Sequence, residues 1–363
     1  MKSIVHTLLI VLTVVFTSSC QKDGDLLAEI LINEERTDIE DISITPDTPD
    51  SEDNISTPNQ PDVEINNKPG ATYCGPYNAS EPLVLSGIND TIISGLDISN
   101  PTGHAITLVN CKNVIIEKSY LHHSIGNGVN LTSCENIEIR NVRMEAVASG
   151  VYAQISQGVL VTHIEVKNAL GPFPRGQMVQ FNGVTGEGNK INYNVSENIM
   201  GQSNPEDAIN LYNTHGTISS PIEVIGNWIR GGGPSNSGGG IMTGDKGGSH
   251  IVVKDNILVD PGQYGIAIAA GSNIKILNNF VYAKQQTFTN VGIYIWNQYT
   301  ETSVCSSNEI RDNSVNWVNK NGTQNSVWNK GNCGTVIGWD NNIWAADIDS
   351  TILPSQILID CTL

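Results

Sequence analysis

Apolar and polar residues alternate along this chain in short runs that recur every few tens of residues. Eight such runs are Ala105–Leu108, Gly128–Leu131, Gly150–Ala153, Met178–Phe181, Ala208–Leu211, Gly240–Thr243, Gly265–Ile268 and Gly292–Ile295. Each opens on a small or slim residue. After most of them a second alternating run follows: Asn136–Ile139, Ile222–Ile225, Ile251–Lys254, Asn273–Ile276. Asparagines mark the corners beyond: Asn141, Asn227, Asn256, Asn278 and Asn279. A period of two predicts strands that bury one face. Self-similarity at a longer, near-fixed period predicts a solenoid whose coils are held mainly by their neighbours. Helix formers are sparse, and no stretch keeps a helical period.

The repeat length changes in the middle of the chain. Equivalent runs start 22 residues apart at Gly128 and Gly150, but 30 apart at Met178 and Ala208 and 32 apart at Ala208 and Gly240. The extra residues fall at 168–176, 197–206 and 230–239, always just before the first strand of a coil. Three consecutive insertions at one corner predict a wall of stacked loops beside that strand's sheet. Long loops on a rigid scaffold are where function usually sits.

Charge and composition divide the chain. The formal net charge is −18. Residues 21–75 hold 14 acidic against 3 basic side chains, so most of the excess lies there. No basic stripe exists, which argues against nucleic acid as a partner. Lys2 and the apolar run Ile4–Phe16 read as an export signal, too short to span a bilayer comfortably. Thr17-Ser18-Ser19-Cys20 resembles a bacterial lipobox, which implies lipidation of Cys20, an outer-membrane lipoprotein and membrane contact only through that anchor. Gln21–Asp25 resembles the acidic export tag of Bacteroidota surface lipoproteins, which implies a domain outside the cell. Residues 21–70, rich in Pro, Asp, Ser and Asn, read as a disordered tether, and 71–363 as one domain with a C-terminal cap, expected to be a monomer.

Six cysteines remain after Cys20. Cys111 and Cys134 occupy equivalent positions in consecutive coils, which lie about 4.8 Å apart, so a Cys111–Cys134 disulfide is expected first and Cys305–Cys333 next. Cys74 and Cys361 are left without an assigned pairing. No Cys-x-x-Cys or His-Glu-x-x-His occurs to indicate zinc, and His122-His123 on a short early coil reads as structural.

The alternating strands, the second strand opening with Asn-Ile or Asn-Val, and the corner asparagine resemble the pectate-lyase-like superfamily over roughly residues 76 to 320. That resemblance implies an all-β fold, a single-stranded right-handed parallel β-helix with three sheets per coil. It also implies a polysaccharide lying between the loop wall and the first sheet. With Ile209 and Leu211 inward, Asn210 and Tyr212 point outward. The same parity exposes Tyr152, Gln180, Asn182, Tyr294 and Trp296, and Tyr264 and Arg230 lie near the wall. Aromatic faces cover the C–H side of a sugar ring, and amides bridge its hydroxyls.

Two chemistries compete for the site. Glu206-Asp207-Ala208-Ile209 resembles the Asp-Asp-x-Ile strand start of polygalacturonase-type glycosidases. Their third carboxylate one coil earlier and His-Gly one coil later are missing, since Gly176-Gln177 and Gly238-Gly239 stand there. Asp245 lies about six residues beyond the level of Asp207, or roughly 20 Å at strand rise, too far for a hydrolytic pair. β-Elimination from a uronate needs a base and a group that neutralises the carboxylate. Arg175, Lys284, Tyr212 and Tyr264 are the candidate bases, and Glu206 with Asp207 the candidate ligands of a calcium ion. Elimination therefore ranks first, hydrolysis through Asp207 second, and a non-catalytic glycan-binding surface third. The glycine-rich segment 231–240 reads most simply as a flexible loop, and otherwise as a place where glycine lets backbone approach substrate closely.

Overall fold

The computed structural model describes residues 68–361. The signal segment with Cys20 and the acidic stretch up to residue 67 lie outside the described residues. Strands stack in parallel, coil upon coil. One coil runs through Val129–Thr132, Glu135–Arg140 and Arg143–Val147, and the next through Val151–Gln154, Gln157–Thr162 and Glu165–Lys167. Each strand pairs with its counterpart in register. We number the faces sheet 1, 2 and 3 in that order. Sheet 3 has eleven strands. Sheets 1 and 2 merge into nineteen because one long strand, Ile241–Lys254, rounds the corner between them and pairs on both faces.

Alternation sets the core. On sheet 1 Ile106, Leu108, Val129, Leu131, Val151, Val179, Phe181, Ile209 and Leu211 are fully buried. Each contributes about 1.5–3 kcal/mol relative to an exposed side chain. The corner asparagines divide two tasks. Asn141 and Asn278 take left-handed backbone, with φ of 51° each, a conformation asparagine tolerates. Asn194, Asn227, Asn256, Asn279, Asn313 and Asn342 form an internal ladder, each Nδ2 donating to the next Oδ1 at 2.8–3.0 Å. Each Oδ1 also accepts the backbone N–H of the coil before. The ladder satisfies backbone groups that the tight bend removes from the sheets.

The expected Cys111–Cys134 disulfide does not form. Both are free, buried thiols. Cys111 Sγ lies 3.3 Å from the Val109 carbonyl and Cys134 Sγ 3.4 Å from the Leu108 carbonyl. Equivalent positions in a parallel stack send their Cβ atoms the same way, about 4.8 Å apart, whereas a disulfide needs them near 3.8 Å and converging. Cys305–Cys333 is bonded, with Cα atoms 4.5 Å apart. A second bridge, Cys74–Cys361, closes a sequence separation of 287 residues.

That second bridge ends a C-terminal strap across the outer side of sheet 3. Leu353 and Ile357 bury against Val195, Trp228, Ile257 and Val259, with Phe280 and Tyr282 beside them. The Ile359 N–H donates to Glu165 Oε1 at 2.7 Å. Arg230 belongs to this strap and not to a sugar-binding face: it pairs with Glu197 at 3.2 Å and donates to the carbonyls of Pro354 and Ser355.

Candidate functional site

The three inserted loops stack as a wall beside sheet 1. Ala169 N–H donates to Asn198 Oδ1 and Ile199 N–H to Asn168 Oδ1, each at 2.9 Å. Ser235 and Ser237 of the third loop donate to the Glu206 carboxylate at 2.8–2.9 Å. Several glycines of 231–240 are required by this stacking. A Cβ on Gly232 would stand 1.9 Å from the Pro261 carbonyl oxygen, and one on Gly240 2.2 Å from that of Gly265.

Asp207 turns out of the core at the start of the strand Ile209–His215. Its Oδ2 accepts from Asn210 Nδ2 at 2.8 Å. Its Oδ1 accepts from the Gly239 N–H at 3.1 Å and from the Tyr264 hydroxyl. Asn210 Nδ2 also donates to Asp245 Oδ2 at 3.1 Å. The two carboxylate oxygens therefore lie no more than about 6 Å apart, the two bonds laid end to end. The expected separation of roughly 20 Å counts rise along the strand alone. The strand Ile241–Lys254 bulges by one residue, so that Asn210 faces Met242 yet Tyr212 already faces Asp245. The side chains of Asp207 and Asp245 close the rest by converging on Asn210. Gly244, with φ of 65°, makes the kink, and a Cβ there would meet the Ala270 carbonyl at 1.9 Å. Asp245 Oδ1 accepts from the Tyr299 hydroxyl at 2.5 Å.

This cluster is buried. Asp207, Asn210 and Asp245 are 8, 4 and 6% exposed. Burial pushes the Asp245 carboxyl above its ordinary range, against the pull of Tyr299, Asn210 and Lys246. Burial likewise raises Glu206, opposed by its two serines. Asn210 Oδ1 is buried and without a hydrogen-bond partner.

The other expected residues separate into two groups. Arg175, Tyr152, Gln180, Asn182 and Tyr212 share the outer face of sheet 1. Arg175 lies 4.0 Å over the Tyr152 ring and donates to Gln180 Oε1 at 2.8 Å, while Asn182 Nδ2 donates to Tyr152 Oη at 2.9 Å. Tyr264 and Tyr294 offer no face to a ligand. Both are fully buried and packed edge to face at 5.4 Å, with Tyr294 Oη reaching toward Met242. Parity places Tyr294 outward correctly, but small Ala267 beneath lets aromatic side chains fill the space. Trp296 is 8% exposed and packs at 5.8 Å against Trp328. Lys284 is exposed and turned to Asp260, 4.0 Å away at the end of a sheet 3 strand. His122 stacks on Tyr120 at 4.5 Å and meets Asp97 at 2.8 Å, a surface cluster on sheet 3.

A calcium ion held by Glu206 and Asp207 would have to displace or reorient the donors already on them. Each of their four oxygens accepts from an N–H or O–H. Tyr299, Asp245 as a partner of Asp207, and half-buried Trp328 are the residues that sequence reasoning missed. Tyr299 lies on a loop outside the repeat. The adjacent Gly244-Asp245 pair is the one local signal of the bulge.

Residues 83–241 match the family model described as right handed beta helix region. No curated protein sequence matches the chain. Among solved structures, the catalytic domain of GH87 alpha-1,3-glucanase in complex with nigerose aligns at 12% identity and a TM-score of 0.48, over 77% of this chain and 62% of that one. The catalytic unit of the thermostable GH87 alpha-1,3-glucanase from Streptomyces thermodiastaticus strain HF3-3 aligns at 11% and 0.39, over 71% and 50%. The mannuronan C-5 epimerase A-module of Azotobacter vinelandii aligns at 10% and 0.32, over 74% and 86%. The chain thus spans less than two thirds of the glucanase domains it matches. The repeat, the parallel register and the family match together identify the chain as a right-handed parallel β-helix protein.

Proposed function

We propose that the domain binds a polysaccharide along sheet 1 and hydrolyses it with Asp207 and Asp245. The observation that carries this reading is the carboxylate pair bridged by Asn210. Two buried carboxyls this close cannot both ionise freely. An upper bound of about 6 Å between their nearest oxygens falls short of the inverting range of about 6.5–9.5 Å and admits the retaining one of about 5–5.5 Å. Asp207 accepts from three donors and suits the ionised nucleophile. Asp245, the more deeply buried, suits the acid. In the first step Asp207 Oδ attacks the anomeric carbon, the glycosidic C–O bond breaks, and the Asp245 proton goes to the leaving oxygen. In the second, Asp245 takes a proton from water, whose oxygen displaces Asp207 and leaves a new reducing end.

Elimination is the second reading. The observation favouring it is Arg175, a guanidinium held against sheet 1 by an aromatic ring and an amide rather than by a carboxylate. Proton NMR of the first products separates the two: hydrolysis by this pair gives the retained anomer, and elimination gives an unsaturated ring. Binding without any cut supports the adhesive reading instead. Export and lipidation at Cys20 belong to the same proposal, and the two disulfides support an oxidising compartment.

A further inference from the structure

Two cations on the outer face of sheet 1 rest on tyrosine rings. Arg175 Cζ lies 4.0 Å from the Tyr152 centroid and Lys246 Nζ 5.7 Å from that of Tyr212. Among the described residues neither has an ion-pair partner, whereas Arg140, Arg143, Arg230 and Arg311 each pair with a glutamate. Acidic groups are not scarce, since residues 76–363 carry 23 Asp and Glu against 15 Lys and Arg. Asp245, the chain neighbour of Lys246, is buried and accepts from Asn210 and Tyr299. Glu206, whose backbone lies against Gly176 beside Arg175, accepts from Ser235 and Ser237.

A ring beneath a cation holds it in place without neutralising it. Arg175 spends Nη1 on Gln180 and the Pro174 carbonyl, which leaves donors of its fork for a planar or tetrahedral anion. Lys246 is exposed and offers a point charge. The register fixes their relation. Tyr152 pairs with Gln180, and Asn182 pairs with Tyr212, so the two tyrosines are two strands apart. That is about 10 Å along the helix axis and about 7 Å along the strand, a span of a few sugar rings.

We propose that Arg175 and Lys246 are two anion subsites of one face, and that its glycan carries carboxylate or sulfate groups on more than one unit. This rests on the reading that the glycan lies along sheet 1, and it holds for hydrolysis and elimination alike.

The test is isothermal titration of the purified protein with polygalacturonate, dextran sulfate and neutral dextran at low and high salt. At least one anionic polymer should bind and weaken as salt rises, while dextran should not bind. Arg175→Gln and Lys246→Gln should each weaken that binding about tenfold, with Arg175→Lys in between and melting temperatures unchanged. Preference for polygalacturonate assigns carboxylate, and preference for dextran sulfate assigns sulfate. Dextran binding that equals the anionic polymers, or Gln variants that bind them unchanged, overturns this inference and leaves the glycan reading standing. Failure of all three polymers to bind removes both.

Discussion

Asp207 and Asp245 are joined through a single amide nitrogen, Asn210 Nδ2, at 2.8 and 3.1 Å. Two coils and a bulge cooperate to place them there. Asn210→Ala should leave two buried carboxyls without their shared donor. The expected loss is about 1–3 kcal/mol, read by urea unfolding. Asn210→Ala as stable as the parent would mean that the amide does not hold the pair.

The asparagine ladder predicts a larger loss at an internal rung. Asn256 accepts from Asn227 and donates to Asn279 and to the Val224 carbonyl. Asn256→Ala orphans several buried groups at once, each worth about 1–3 kcal/mol. A melting temperature within a degree of the parent would contradict this role.

Glu165 predicts how stability depends on pH. It is 4% exposed, and burial pushes its carboxyl up to about 7, against the Ile359 N–H and Arg143. The raised folded value means that the folded state holds a proton the unfolded state releases. Its contribution is therefore fully present below the ordinary value of 4.5 and is lost as pH rises toward 7. The change is up to about 3 kcal/mol. Glu165→Gln should flatten that part of the stability–pH curve, measured by urea unfolding at several pH values.

The strap predicts a role for the Cys74–Cys361 bridge. Cys361→Ser should lower stability by about 2–5 kcal/mol through the freed chain. Hydrogen exchange should rise first at Ile352–Leu358. Unchanged exchange there would show that apolar packing alone holds the strap.

Alternation along the strands made the fold legible, because period-two burial and an Asn corner repeat in nearly every coil. The wall was legible from spacing alone. The site was only partly so. Parity assigns Asn210 and Tyr294 to the outer face, but it does not say which loop or ring will cover that face. A single extra residue at Gly244 moved Asp245 across the strand to Asn210, and no hydrophobic pattern encodes a bulge of one. Cys111 and Cys134 were correctly placed as neighbours. The parallel stack that brings them together also keeps their Cβ atoms from converging.

Hydrolysis by Asp207 and Asp245 is tested most directly by the cutting of a panel of uronate-containing and neutral glycans. It is followed by reducing ends and by absorbance near about 235 nm, the signal of unsaturated elimination products, for the parent, Asp207→Asn and Asp245→Asn. Hydrolysis by this pair predicts new reducing ends without new absorbance. Each variant should be at least about a hundredfold slower, with the fold intact by melting. Full activity in both variants, or unsaturated products from the parent, would contradict hydrolysis by this pair.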